Sequence, residues 1–260
     1  MNLATLVLKN KPLIEAIFEL RWKLVEREGG NKADPHFKLL VGRMFERLKG
    51  NYPFVEELPT SGIPEEISAY VIQHRLRKCE NGWPVIQLGP GILSVNETDG
   101  YEWGQFEERI TEAVDALYGL YPESSSRLKA ESLALRYLDG VAFDSTNDNI
   151  LRFLGDKLKT EIALHSRFFQ ETDVAPVPSG IDLLFQHTCK KPKGTIHVRF
   201  VSGRNKDAPA LVIETVVQSG RDDVAGMGRD GICSWIQEAH EVTHACFFGL
   251  IAGDLQKEFE

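Results

Sequence analysis

Ile14-Glu-Ala-Ile-Phe-Glu-Leu-Arg-Trp22 alternates apolar and polar residues toward its end, the period of a strand with one face in a core. Its closing Leu20-Arg21-Trp22 is echoed by Leu135-Arg136-Tyr137, 115 positions later, inside a second strand-like run over 133–143. This echo predicts a chain built from two similar halves.

Working outward from the two strands, each is followed by a capped helix. Asp34 supplies an N-cap and Pro35 the first helical position. Phe37, Leu40, Val41, Met44, Phe45 and Leu48 then recur at helical spacing, and Gly50 is the stop. In the second half a helix over 149–158 follows an Asn147/Asp148 cap. Three strands come next in each half, over 69–78, 83–88 and 92–97 and over 181–188, 195–201 and 211–218. Turn residues such as Glu80-Asn81-Gly82 and Gly89-Pro90-Gly91 separate them. Helices over 103–118 and 229–251 close the halves. Each half therefore reads β-α-β-β-β-α, with 1–121 as the first unit, 122–131 as the joint and 132–260 as the second. The expected fold is α+β: mainly antiparallel sheet backed by helices in a pseudo-two-fold arrangement, as one curved sheet or two lobes.

The composition sets broad bounds. The 260 residues are 42% hydrophobic and 26% charged, enough for a sizeable core, with a formal charge of −8. That acidity argues against nucleic acid and anionic membrane as partners, because phosphate-binding surfaces need a basic footprint. Small basic groups at 74–78, 190–193 and 204–206 are read as a solvated sheet face and turns. Cys79, Cys189, Cys233 and Cys246 are widely spaced, without a C-x-x-C pair, so a reducing cytosol is the expected compartment. Residues 1–9 lack the features of a signal peptide, and the longest apolar run, 245–253, is far below the roughly 20 residues of a spanning helix.

Two motifs invite a chemical reading. His240-Glu241-Val242-Thr243-His244 matches H-E-x-x-H, in which two imidazoles one helical turn apart hold Zn²⁺ and the Glu acts as base. A third ligand is not evident: Phe247 and Leu250 stand where a metzincin would carry Gly and His. Ile232, Trp235, Ala239, Val242, Cys246 and Leu250 are expected to form the core stripe of this helix, with His240 and His244 at its edge. Gly226-Met-Gly228-Arg-Asp-Gly231 matches G-x-G-x-x-G but sits too far beyond its strand to cradle a dinucleotide, so it is read as a loop.

The strand echo offers a further candidate. Glu15, Glu19 and Arg21 share a face opposite Phe18, Leu20 and Trp22, while Arg136 alternates against Leu135 and Tyr137. If the first strands of the two halves meet, Glu19, Arg21, Arg136 and Asp139, with Tyr137 beside them, are expected to form a central polar cluster. That cluster is either an ion-pair network between the halves or a ligand site.

Asn10-Lys-Pro-Leu-Ile-Glu-Ala-Ile-Phe-Glu-Leu-Arg-Trp22, Val85-Ile-Gln-Leu-Gly89, Leu93-Ser-Val-Asn96, Leu135-Arg-Tyr-Leu-Asp139 and Ala239-His-Glu241 with Phe247 together resemble a sporadically distributed, uncharacterised prokaryotic protein family of about this length. The resemblance covers nearly the whole chain and implies no activity, cofactor or catalytic residue. The family's closing helix follows A-H-E-x-x-x-x-x-F, which implies that His240-Glu241 belongs to the scaffold and His244 is particular to this chain. Its patchy distribution implies mobile or defence-associated gene clusters.

The leading expectation is a non-enzymatic cytoplasmic binding or adaptor protein acting through a protein partner, without a cofactor. A homo-oligomer is left open. Two alternatives stand beside it. One is a zinc hydrolase using His240, His244 and Glu241. The other is a small-ligand sensor binding between the halves, marked by Glu19, Arg21 and Arg136.

Overall fold

The computed structural model describes residues 8–98, 100–144 and 148–260. In chain order the elements begin with β1 (Leu13–Trp22), the short hairpin β2 (Val25–Glu26) and β3 (Lys32–Ala33), and α1 (Phe37–Leu48). They continue with β4 (Phe54–Glu57), β5 (His74–Arg77), β6 (Val85–Gly89), β7 (Ile92–Glu97), α2 (Trp103–Leu120) and α3 (Ser124–Arg127). The second half holds β8 (Ala130–Ala142), α4 (Ile150–Leu158), β9 (Asp182–Lys190), β10 (Lys193–Asn205), β11 (Ala208–Ser219), α5 (Arg221–Val224), α6 (Arg229–Ile251) and α7 (Asp254–Phe259).

Nine strands form one antiparallel sheet in the order β4-β5-β6-β7-β1-β8-β11-β10-β9. The two echoing strands are neighbours near its centre, with Ala16 opposite Tyr137, Phe18 opposite Leu135 and Leu20 opposite Leu133. Outward from them the order is β7, β6, β5 on one side and β11, β10, β9 on the other.

Strand alternation decides which face is covered. In β1, Ala16, Phe18, Leu20 and Trp22 are buried, while Glu15, Ile17, Glu19 and Arg21 are only partly so. The buried row joins Leu40 and Met44 of α1, Phe106 and Ile110 of α2, and Ile232 and Trp235 of α6 in the larger core. A second core lies beyond it, where Leu154 of α4, Phe248 and Ile251 of α6 and Leu255 of α7 meet Phe200, Leu211 and Ile213 of the sheet. Each such aromatic or aliphatic side chain, fully buried, is worth roughly 1.5–3 kcal/mol. The helices thus lie on one face of the sheet, and the charged row of β1 lies on the other.

Several local expectations change. Asp34 is not the side-chain cap of α1. The helix begins at Phe37 with His36 at the cap position and no side-chain cap. The Asp34 carboxylate is instead buried, accepting from Trp22 Nε1 (3.0 Å), Tyr121 OH (3.0 Å) and the His36 backbone N–H (3.0 Å). Two buried donors, the Trp22 indole and the Tyr121 hydroxyl, thus take the carboxylate that an exposed helix end would otherwise use.

Asn149 caps α4 through the Leu151 and Arg152 amides, one residue later than Asp148; Asn147 lies outside the described residues. The strand expected over 69–78 is confined to His74–Arg77, because the chain turns at 68–71 with Tyr70 at φ 60°. β4 had no alternating signal, being Phe-Val-Glu-Glu on a largely exposed edge. Residues 122–131, expected as a joint, hold α3 and the first residues of β8.

The buried face of α6 also drifts from the expected stripe. Ile232, Trp235, Ile236, Ala239 and Thr243 are buried in its first part, then Phe248 and Ile251, while Val242, Cys246 and Leu250 are only partly covered. The helix crosses from the larger core to the second core over a twisted sheet, so one straight stripe cannot stay inward. Among the described residues no helix is long and apolar enough to cross a membrane.

Candidate functional site

At the seam between the halves, the strand parity and the helix spacing converge. Leu133, Leu135, Tyr137, Asp139 and Val141 occupy the helix-facing row of β8 and all are buried, and a cavity opens beside Tyr137 and Asp139. Next to it on β11, Thr215 pairs in register with Tyr137, and Ile213 with Asp139. On α6, His240, Thr243, His244, Phe247 and Phe248 fall at three- and four-residue spacings on one side and form a wall. Tyr101, Glu102 and Trp103 close the cavity from the start of α2, and Lys11, Pro12 and Leu13 from the start of β1. Its volume is about 280 Å³.

The wall is ordered by aromatic contacts. The Trp103 indole stacks on the His240 imidazole with ring centroids 3.7 Å apart and planes 6° from parallel. Tyr137 OH lies 3.1 Å from His240 Nδ1 and 3.0 Å from Tyr101 OH. Two proton orders satisfy these contacts with a neutral imidazole: Tyr101 donating to Tyr137 and Tyr137 to His240 Nδ1, or His240 Nδ1–H donating to Tyr137 and Tyr137 to Tyr101. Burial, with His244 nearby, pushes the His240 pKa down to about 3, so the ring is neutral throughout the physiological range. Burial lowers His244 as well. It raises Tyr101 and Tyr137, so both phenols remain protonated donors.

Asp139 differs from its neighbours. It is 5% exposed and lines the cavity, and among the described residues no side chain or amide donates to its carboxylate. Desolvation alone raises its pKa to about 7. Thr215 Oγ1, on the same lining, is buried with no hydrogen-bond partner. Buried hydroxyls are almost always satisfied, and this one is not, while the neighbouring carboxylate opens onto the cavity without a protein donor among the described residues.

The other two charged side chains on the lining already have partners. Lys11 Nζ donates to the Tyr101 carbonyl (2.6 Å). The Glu102 carboxylate caps α2, accepting from the amides of Gly104 and Gln105 at 3.1 and 3.2 Å.

The candidate residues read from the sequence are split between two faces. Tyr137 and Asp139 join His240 and His244 in the cavity, bringing together two motifs that had been read separately. Glu19, Arg21 and Arg136 do not join them. They lie on the helix-free face, where Arg21 Nε is 2.8 Å from Glu19 and Arg136 Nε is 3.3 Å from Glu214. The expected cluster of Arg136 with Asp139 is corrected by parity: residues three apart on a strand point to opposite faces.

Two hydrogen-bonded features extend the helix-free face: Asn96 bonds to Glu15 (2.8 Å), and Arg199 forms a bidentate pair with Asp182 (2.7 and 2.6 Å).

The zinc-type arrangement is incomplete. His240 and His244 do face one cavity, with ring centroids 5.5 Å apart. Glu241, the base that chemistry requires, is exposed on another side of α6. Among the described residues no group of three or more His, Cys, Asp or Glu is placed to hold a metal ion. Of the stretch read as a loop, Gly226–Gly228 lies between α5 and α6 with Gly228 at the α6 N-cap, whereas Arg229–Gly231 already form the first turn of α6; Arg229 pairs with Asp115 (2.5 Å).

Sequence reasoning missed Tyr101, Trp103 and Thr215. A signal existed for Thr215, a lone hydroxyl in the row Leu211, Ile213, Thr215, Val217. The same signal marked Asp139 in its own apolar row. Comparison with models of known protein families and with curated proteins gave no match.

Proposed function

We propose that this chain is a small-ligand-binding protein whose ligand occupies the cavity between β8, β11, α6 and the start of α2. The observation that carries this reading is a buried carboxylate without a protein donor, beside a buried unpartnered hydroxyl, on the lining of a cavity walled largely by aromatic rings. Leaving such groups unpaired costs about 1–3 kcal/mol each, more for a charge, and binding sites are where that cost is commonly tolerated. An apolar concavity with a few convergent polar groups is the usual form of a small-molecule site. This is the small-ligand reading transferred from the Arg21–Arg136 face to the opposite one.

The site also bears on the origin of the fold. We infer that the two halves descend from one duplicated β-α-β-β-β-α unit. Support comes from the matching strand order outward from β1 and β8, and from the central register pair Glu19 and Ala134, which is itself separated by the 115 positions of the Leu-Arg-aromatic echo. The cavity then lies at the seam of the duplication, where the halves are free to differ.

A fragment screen by protein-observed NMR tests the binding reading. Fragments of mixed charge are expected to perturb the His240 and His244 imidazole and Trp103 indole resonances together. Perturbations confined to Arg136 and its neighbours on the helix-free face would overturn it.

A further inference from the structure

We propose that the ligand is a small organic cation, a protonated primary amine on an aromatic or branched apolar body, with Asp139 as its counter-ion. This rests on the reading of the cavity as a ligand site and specifies its chemistry.

The charges decide the sign. Facing the cavity are Lys11 before β1, Glu102 at the α2 cap, Tyr101 and Tyr137, Asp139 on β8, and His240 with His244 on α6. Lys11 is held by the Tyr101 carbonyl, and Glu102 is held by the first amides of α2, which closes that helix end to an outside anion. The imidazoles are shifted toward the neutral form by burial. Asp139 alone is left as a buried charge without a counter-charge or a donor among the described residues. A buried carboxylate is strongly stabilised only by a partner that both neutralises it and donates hydrogen bonds. An ammonium does both and has donors to spare. Thr215, one strand over and diagonal to Asp139, lines the same cavity, and a turn of its side chain brings the buried, unpartnered Oγ1 to the ammonium as an acceptor.

Size and walls define the rest of the molecule. A cavity of about 280 Å³ lies at the small end of ligand pockets and suits a molecule the size of a monocyclic amine. Tyr101, Trp103, Tyr137, Phe247 and Phe248 supply ring surface, suited to an apolar body and to cation–π attraction near the charged head.

The proposal predicts a pH dependence. A cation pairs with ionised Asp139, so binding holds above about pH 7 and weakens as the carboxyl takes up its proton below that value.

The test is calorimetric titration of the full chain with phenethylamine, phenethyl alcohol and phenylacetate, which share a ring and differ in charge. Phenethylamine is expected to bind most tightly at pH 8 and to lose about tenfold in affinity per pH unit below 7. Asp139→Asn should weaken the amine at least thirtyfold at pH 8 and leave the alcohol unchanged. Thr215→Val should weaken the amine severalfold, and Arg136→Ala on the opposite face should have no effect.

Equal or tighter binding of the alcohol or the phenylacetate, or an amine affinity indifferent to Asp139→Asn, would overturn the cation while leaving the ligand site standing. Failure of all three probes to bind the unmodified chain would overturn both.

Discussion

Asp139→Asn is expected to melt about 10 °C above the unmodified chain at pH 8 and to melt at nearly the same temperature as it near pH 4. The folded chain keeps the Asp139 proton up to about pH 7, whereas the unfolded chain releases it near the ordinary value of 3.8. Between those values the folded state binds more protons, so its stability falls as pH rises. The loss is about 1.4 kcal/mol per pH unit, or roughly 4 kcal/mol across the window. For a chain of this size, each kcal/mol moves the melting temperature by about 2–4 °C. The Asn side chain has the same shape and does not ionise, so the variant escapes this loss.

His240 acts in the opposite direction. Its lowered pKa makes the fold less stable as pH falls through its unfolded value near 6.5, toward about 3. Both proteins carry that effect, so it cancels in the difference between their melting curves. A difference that stays constant from pH 4.5 to pH 8 would sink the claim that Asp139 is a desolvated carboxyl. Stability given up at a site is a common cost of function, and a variant that gains stability while losing amine binding would show that exchange directly.

Asp34→Ala is expected to be the most damaging single truncation of a polar side chain. It strips the acceptor from Trp22 Nε1, Tyr121 OH and the His36 amide at once, and Trp22 is fully buried. A buried donor left unpaired costs about 1–3 kcal/mol, so the total is expected at about 4 kcal/mol. Urea denaturation should register this as a lower midpoint with an unchanged slope. A loss below about 1 kcal/mol would mean that Asp34 does not organise this corner, where β1, the turn before α1 and the end of α2 meet.

The contrast between these two aspartates shows what the sequence could disclose. Asp34 followed by Pro35 carries a strong local cue for a helix start, and the helix is there. The partners that capture its carboxylate are 12 and 87 positions away, and no local pattern announces them. Element types were legible wherever a period persisted, as in β1, α2, β8 and α6. They were lost where tertiary contacts or an edge decided the outcome, as at Tyr70 and β4. The central pairing of β1 with β8 entered the sequence reading only as a condition, that the first strands of the two halves meet, and the sheet fulfils that condition.

The site was legible in pieces. Tyr137, Asp139, His240 and His244 were each singled out, but in two unrelated groups. Grouping Asp139 with Arg136 ignored strand parity, which assigns Asp139 to the apolar row of Leu135 and Tyr137. A carboxylate in such a row is the informative anomaly, since buried charges require a partner. Trp103 could not have been joined to His240 from sequence, because their stacking depends on how α2 packs against α6.

The most direct measurement is an NMR titration of the Asp139 side-chain carboxyl carbon, assigned through Asp139→Asn, with and without phenethylamine. The account predicts a midpoint near 7 in the free protein and a marked downward shift when the amine is bound. A midpoint near 4 that does not respond to the amine would contradict it.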